Sequence, residues 1–215
     1  MVYDRTKFIS PTNVDASKAH CLEANLEGLC EFSKAPSIKD ILRMLQICRK
    51  RKSVVSAKFL YSYICGQGLL DDRSIGNHLI PLFVDCGSLR DAEMVFCSLS
   101  YRNEHSWTSL ILGYAQSEQL QHAFCLYQRM QENSILPTSY TLVGLLQSCA
   151  QLQNSEFGQE IHLEVVQKGF DEDIFIHSAL LDMYVKCGCI VEAQNVFDRM
   201  SNRDVVLWTT LIAGY

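Results

Sequence analysis

Nothing in this 215-residue chain is long and apolar enough to cross a bilayer, since no run of about eighteen apolar residues occurs in it. Basic residues are in the minority, 19 against 24 acids, for a formal charge of −5. That balance argues against a protein that holds nucleic acid by bulk electrostatics, though not against one that reads bases singly along a local groove. The opening residues MVYDRTKFIS lack the apolar core of a signal peptide. Five acids within 1–37 (Asp4, Asp15, Glu23, Glu27 and Glu31) fit an acid-poor transit peptide badly. Period-two alternation of a strand persists nowhere.

Ten cysteines suggest a disulfide framework by count alone. Their setting does not. Cys48, Cys65, Cys97, Cys125 and Cys149 lie inside apolar, helix-like segments of a chain long enough to build a core without staples. Buried reduced thiols acting as small hydrophobes are expected.

The strongest positive signal is self-similarity. WTSLILGY (Trp107 to Tyr114) returns as WTTLIAGY (Trp208 to Tyr215), matching at six of eight positions and displaced by 101 residues. CGSLRDAEMVF (Cys86 to Phe96) returns at the same displacement as CGCIVEAQNVF (Cys187 to Phe197), and LQICRK (Leu45 to Lys50) as LQSCAQ (Leu146 to Gln151). Three matches at one spacing define an internal repeat. Inside it, three-and-four spacing marks amphipathic helices: Leu89, Ala92, Val95, Phe96 and Leu99; Leu120, Ala123, Leu126, Tyr127 and Met130; Ile190, Ala193, Val196, Phe197 and Met200. The middle stripe stops before Pro137. In 174–204 a preceding helix is expected from about Ser178 to Lys186, broken at Gly188. Helix–turn–helix pairs of this size cannot bury their stripes alone, so they must stack into an all-α solenoid.

SWTSLILGYAQSEQLQHAFCLYQRMQENSILPT (Ser106 to Thr138), TLVGLLQSCAQLQNSEFGQEIHLEVVQKGFDED (Thr141 to Asp173) and ALLDMYVKCGCIVEAQNVFDRMSNRD (Ala179 to Asp204) resemble the standard, long and short repeats of plant pentatricopeptide repeat proteins. The resemblance divides the chain into 38–72 (long), 73–103 (short), 104–138 (standard), 139–173 (long) and 174–204 (short), with 205–215 opening a further standard repeat that is cut off. Segment 1–37 stays unassigned. The implied fold is a right-handed α-solenoid, and the implied chain is a piece of a longer protein.

The resemblance implies binding of single-stranded RNA, one repeat per base. The fifth residue of each repeat would meet the base edge, the last would help choose the base, and the second would pack on its face. In this sequence the pairs are Asn77 with Asn103 (C over U), Thr108 with Thr138, and Ser178 with Asp204 (G over A), while Thr209 suggests purine. Thr138 departs from the family's usual Asp or Asn. The long repeats offer Leu42 with Asp72 and Val143 with Asp173, and an aliphatic fifth residue cannot hydrogen-bond a base. Packing candidates are Ser74, His105, Tyr140, Phe175 and Val206.

Blander roles also suit some of these residues. Asn77 and Ser178 suit helix caps, Asp173 and Asp204 suit partners of a helix dipole, and Tyr140 and Phe175 suit a core. The run Arg49-Lys50-Arg51-Lys52 suits either a solvated turn or a phosphate contact.

Some members of the family end in a deaminase-like domain, whose zinc chemistry needs His-x-Glu and a later Pro-Cys-x-x-Cys. His162-Leu163-Glu164 supplies the first half, but none of the four prolines precedes a cysteine. Cys187-x-Cys189 has no second ligand pair, and Gly66-x-Gly68 lacks the third glycine and the preceding strand of a nucleotide loop. The reading is therefore a non-enzyme with no cofactor and no metal. Its partners would be RNA and other RNA-processing proteins, and its compartment a mitochondrion or plastid, with C-to-U editing as the family's common task. A helical scaffold for protein partners is the alternative, motivated by the negative charge and the two aliphatic fifth residues.

Overall fold

The computed structural model describes residues 36–170, 173–200 and 203–215, with only the backbone of Asp71 and Arg73. The expected N-terminal segment, with its five acids and Cys21 and Cys30, lies outside the described residues except for Pro36 and Ser37. Two compact units divide the chain, Met1–Met44 and Leu45–Tyr215. The described part of the first is the opening of helix α1, Ile38–Arg51. Ser37 and Asp40 form a capping box there: Ser37 N–H donates to the Asp40 carboxylate at 3.0 Å, and Asp40 N–H donates to Ser37 Oγ at 3.3 Å.

The second unit continues α1 and holds, among the described residues, ten further α-helices and no strand. They pair as α2 (Val54–Gly66), then α3 (Arg73–Asp85) with α4 (Leu89–Ser98), α5 (Glu104–Gln116) with α6 (Leu120–Glu132), α7 (Ser139–Gln151) with α8 (Ser155–Gln167), α9 (Ile174–Lys186) with α10 (Ile190–Arg199), and finally α11 (Val205–Gly214). The first helices begin at Ile38, Arg73, Glu104, Ser139, Ile174 and Val205, at intervals of 35, 31, 35, 35 and 31 residues. Within this unit α3, α5, α7, α9 and α11 pack in succession, each on the next, and α3, α5, α7 and α9 each pack on the second helix of their own pair. Contacts confined to neighbouring pairs make an α-solenoid.

The apolar stripes form its core. Ala92, Val95, Phe96 and Leu99, then Leu120, Ala123, Leu126, Tyr127 and Met130, then Ala193, Val196, Phe197 and Met200 are all buried. Helix α9 starts at Ile174, a turn earlier than the sequence pattern places it, because the Asp173 carboxylate accepts from Phe175 N–H at 2.9 Å and Ile176 N–H at 3.4 Å. Gly188, the expected break, has φ of +74°, and Gly87 stands in the same place at +73°. That left-handed step lets Cys189 N–H reach back to Tyr184 C=O and Ser88 N–H to Phe83 C=O, both at 2.9 Å, closing each helix with a Schellman-type bond.

The 101-residue echo is a physical joint. Phe96 meets Trp107 edge-on at 4.6 Å between centroids, and Phe197 meets Trp208 at 4.6 Å in the same manner. Arg102 lies over the Phe96 ring at 5.2 Å while its guanidinium donates to the carbonyls of Phe96 (2.7 Å) and Cys97 (2.9 Å). Arg203 repeats this over Phe197 at 5.0 Å, donating to Phe197 and Asp198 carbonyls at 3.0 and 2.7 Å. Each arginine thus closes the C-terminus of a second helix and ties it to the next repeat.

The cysteine expectation needs correction. Cys48 and Cys149 are buried, but Cys65, Cys97 and Cys125 are exposed. Those three occupy the outward side of second helices, where apolar sequence neighbours do not imply burial. All described cysteines are free thiols. Of the basic run, Arg49, Lys50 and Arg51 form the last turn of α1, where cations complement the helix dipole, and Lys52 is a turn residue with φ of +50°. Arg49 also pairs with Asp85.

Candidate functional site

The candidate residues come to the surface through one local device repeated along the chain. The last residue of each expected repeat is the N-cap of the following first helix. Asp72 accepts from Ser74 and Ile75 N–H, Asn103 from Ser106, Thr138 from Thr141, Asp173 from Phe175 and Ile176, and Asp204 from Leu207. The capping role weighed for Asn77 and Ser178 therefore falls to Asp72 and Asp173, each five residues earlier. A short acceptor at this place leaves an otherwise orphaned N–H satisfied. The Asp173 carboxyl is held below its ordinary value, first by a hydrogen bond from Ser139 and, against the opposing effect of burial, by the Phe175 and Ile176 N–H groups. Ser139 opens the same repeat that Asp173 closes, so this bond joins the starts of consecutive first helices.

Second residues lie one turn-step inside each cap and all face solvent. Ser74 and His105 are exposed, and Tyr140, Phe175 and Val206 are 71%, 73% and 67% exposed. Neither aromatic belongs to the core.

Fifth residues sit deeper. Asn77, Val143 and Ser178 are half-buried, as is Leu42 on α1, while Thr209 is exposed. Ser178 Oγ donates to Ile174 C=O at 2.7 Å and Thr209 Oγ1 to Val206 C=O at 2.8 Å, so both hydroxyls bond their own helix. Pro81 lies inside α3, four residues after Asn77, and its missing N–H leaves the Asn77 carbonyl without the usual helical donor. Thr108 differs from the others. It is 6% exposed, and its Oγ1 lies 2.7 Å from Thr141 Oγ1, which lies 3.1 Å from Thr138 Oγ1. The structure thus joins one fifth residue and its repeat's last residue through a third side chain. Sequence reasoning missed Thr141: it lies in the next repeat, 33 residues from Thr108, and nothing local distinguishes it.

The His-x-Glu pair is structural in its surroundings. His162 Nδ1 and Tyr184 OH lie 2.9 Å apart, and the Tyr184 phenol is pushed up to about 12, mainly by burial. Glu164 accepts from Tyr127 OH at 2.5 Å. Among the described residues no group of three His, Cys, Asp or Glu side chains could hold a metal ion, and no helix is long and apolar enough to cross a membrane.

Helix pairs in a single file, each presenting its helix start and its second and fifth residues at recurring positions, define a helical-repeat protein of the α-solenoid class. Residues 102–151 match the PPR repeat family and residues 175–205 match the PPR repeat. A chloroplastic pentatricopeptide repeat-containing protein of Arabidopsis thaliana is 31% identical over 98% of this chain and 26% of its own length. A second Arabidopsis thaliana protein of that name is 29% identical over 92% of this chain and 42% of its own length. Among solved structures, the pentatricopeptide repeat protein PPR10 in complex with an 18-nucleotide psaJ RNA element superposes with a TM-score of 0.70 at 18% identity, covering 94% of this chain and 31% of that one. The PPR domain of Arabidopsis thaliana protein-only RNase P 1, in complex with tRNA, superposes at 0.59 and 13% identity, over 80% of this chain and 95% of that domain. At these identities the likeness to solved structures is one of fold. The chain is a pentatricopeptide repeat protein, and it spans about a fifth to two fifths of the length of curated relatives that it matches.

Proposed function

We propose that this chain binds single-stranded RNA, one repeat to a base. The observation that carries the reading is the row of second residues. Tyr140 and Phe175 stand more than 70% exposed at equivalent positions of consecutive first helices, where burial would be the ordinary fate of such side chains. Two exposed aromatics at equivalent places of neighbouring first helices offer stacking platforms for unpaired bases, each worth roughly 1–3 kcal/mol. PPR10 and the RNase P domain, whose fold this chain shares, are complexes with RNA.

On this reading Asn77 with Asn103 favours C over U, Ser178 with Asp204 favours G over A, and Thr209 favours purine. Leu42 with Asp72 and Val143 with Asp173 discriminate little. The repeats take the boundaries 38–72, 73–103, 104–138, 139–173 and 174–204, in long, short, standard, long and short order. The site of action is an organelle, and site recognition for C-to-U editing is the task, with catalysis supplied elsewhere.

Selection from a single-stranded RNA pool with a randomised core tests this. The wild type should enrich a short motif. Asn77→Ala should erase the preference at one position and Ser178→Ala at another, three positions away, each by about three- to tenfold, the value of one hydrogen bond. A wild type that enriches no motif, or variants that leave it unchanged, would refute base reading.

A further inference from the structure

The stripe of α7 that carries Tyr140 and Val143 runs on to Gln147, since the second, fifth and ninth residues of a helix share one face. Gln147 is exposed, although Leu146 before it and Cys149 after it are fully buried. No hydrogen bond or ion pair joins its amide to another described residue. Gln46 stands at the same place in the first long repeat, four residues after Leu42, also exposed and equally unengaged. The other first helices carry Pro81, Leu112, Asp182 and Ala213 there. Leu112 is buried, and Asp182 is held by Lys186 at 2.8 Å. A free amide thus stands at the ninth residue where the fifth is aliphatic. Where the fifth is Asn77, Thr108, Ser178 or Thr209, none follows. Val143 and Gln147 lie about 6 Å apart along the helix axis, and helical side chains lean toward the N-terminus. A side chain as long as glutamine's brings its amide up beside Val143, which has no polar atom of its own to offer a base.

We propose that Gln147 is the base-contacting residue of repeat 139–173, an anchor that holds a base without choosing it. This rests on the base-reading function proposed above and assigns a role to a residue outside the second, fifth and last positions. An amide carries a donor and an acceptor side by side, and half a turn about its terminal torsion exchanges them. The pairing edge of every RNA base also sets a donor beside an acceptor, in one order or the other. Gln147 therefore accepts any unpaired base. The long repeat adds affinity and carries the register across one nucleotide, while the repeats with polar fifth residues select.

Titration with the RNA motif that the selection yields tests the contact. The positions that respond to Asn77→Ala and Ser178→Ala fix the register, and the position beside the latter, between the two, belongs to repeat 139–173. Five RNAs are compared, one with each base at that position and one with the base removed and the sugar and phosphate kept. Gln147→Ala should weaken binding of all four base-bearing RNAs by about three- to tenfold and leave the preferences at other positions as in the wild type. Removing the base should cost the wild type about three- to tenfold more than it costs Gln147→Ala, because the variant has no amide contact left to lose. An unchanged affinity, or an equal cost of base removal in wild type and variant, overturns the contact and leaves base reading standing. A loss confined to one of the four bases overturns the anchor and makes Gln147 a selector. A wild type without any motif overturns base reading and the anchor together.

Discussion

Glu164 shows what a single side chain does in the packing between repeats. Its carboxylate accepts from Tyr127 OH, from Gln131 Nε2 at 2.8 and 3.0 Å and from Lys168 Nζ at 3.1 Å. Burial pushes the carboxyl up, but these donors outweigh it and the net effect is a value below the ordinary 4.5. A depressed carboxylate stabilises the fold above the unfolded chain's pKa and loses that contribution as pH falls through the folded value. Thermal unfolding followed from about pH 6 to about pH 3 should therefore show a stability loss that begins near the ordinary carboxylate range and continues below it. Glu164→Gln should be less stable at neutral pH and shallower in that acid window. Equal slopes would exclude Glu164 as the origin. Apart from the i,i+4 pair of Glu164 and Lys168, this network is not visible in sequence, since Tyr127 and Gln131 come from the preceding helix pair. The exposed thiols of Cys65, Cys97 and Cys125 escaped sequence reasoning for a related reason: an apolar helix segment does not say which flank its small residues occupy.

Turns between paired helices are where the elements reveal different solutions to one problem. Gly87 and Gly188 adopt the left-handed step at no steric cost, and the sequence advertises the second of them as a break. Glu118 and Gln153 hold the same step with φ of +62° and +51°, and close the same bonds, Gln119 N–H to Tyr114 C=O at 3.1 Å and Asn154 N–H to Cys149 C=O at 2.9 Å. Nothing in a glutamate or glutamine signals that conformation. Gln153 is partly compensated by donating to Lys186 C=O at 3.1 Å. Glu118→Gly should therefore stabilise the chain by about 0.5–1 kcal/mol, read by denaturant titration. A destabilised variant would mean that the Glu118 side chain contributes more than its backbone costs. The short 3₁₀ turn at Leu69–Asp71 likewise has no counterpart in the sequence pattern.

At the scale of the whole repeat array, the all-α solenoid was legible because the 101-residue displacement carries real joints, the paired Phe–Trp–Arg clusters at 96, 107 and 102 and at 197, 208 and 203. The arginines themselves were not singled out by sequence, because their role depends on reaching carbonyls five and six residues back. Arg102→Ala should cost about 1–2 kcal/mol by freeing two helix-end carbonyls and removing the cation from Phe96. Since each repeat touches only its neighbours, amide exchange should quicken in α4 and α5 well before α8 and α9. Uniform quickening would mean that the array unfolds as one piece. The helix lengths carry a different message. Helices α3, α5, α7 and α9 are each thirteen residues, but α4 and α10 are ten where α6 and α8 are thirteen, about 4.5 Å shorter. Three of the four residues by which a 31-residue interval falls short of a 35-residue one are therefore taken from the second helix, which carries no candidate base contact. Length can be gained or lost on that side over evolutionary time while the ladder of first helices keeps its rung size.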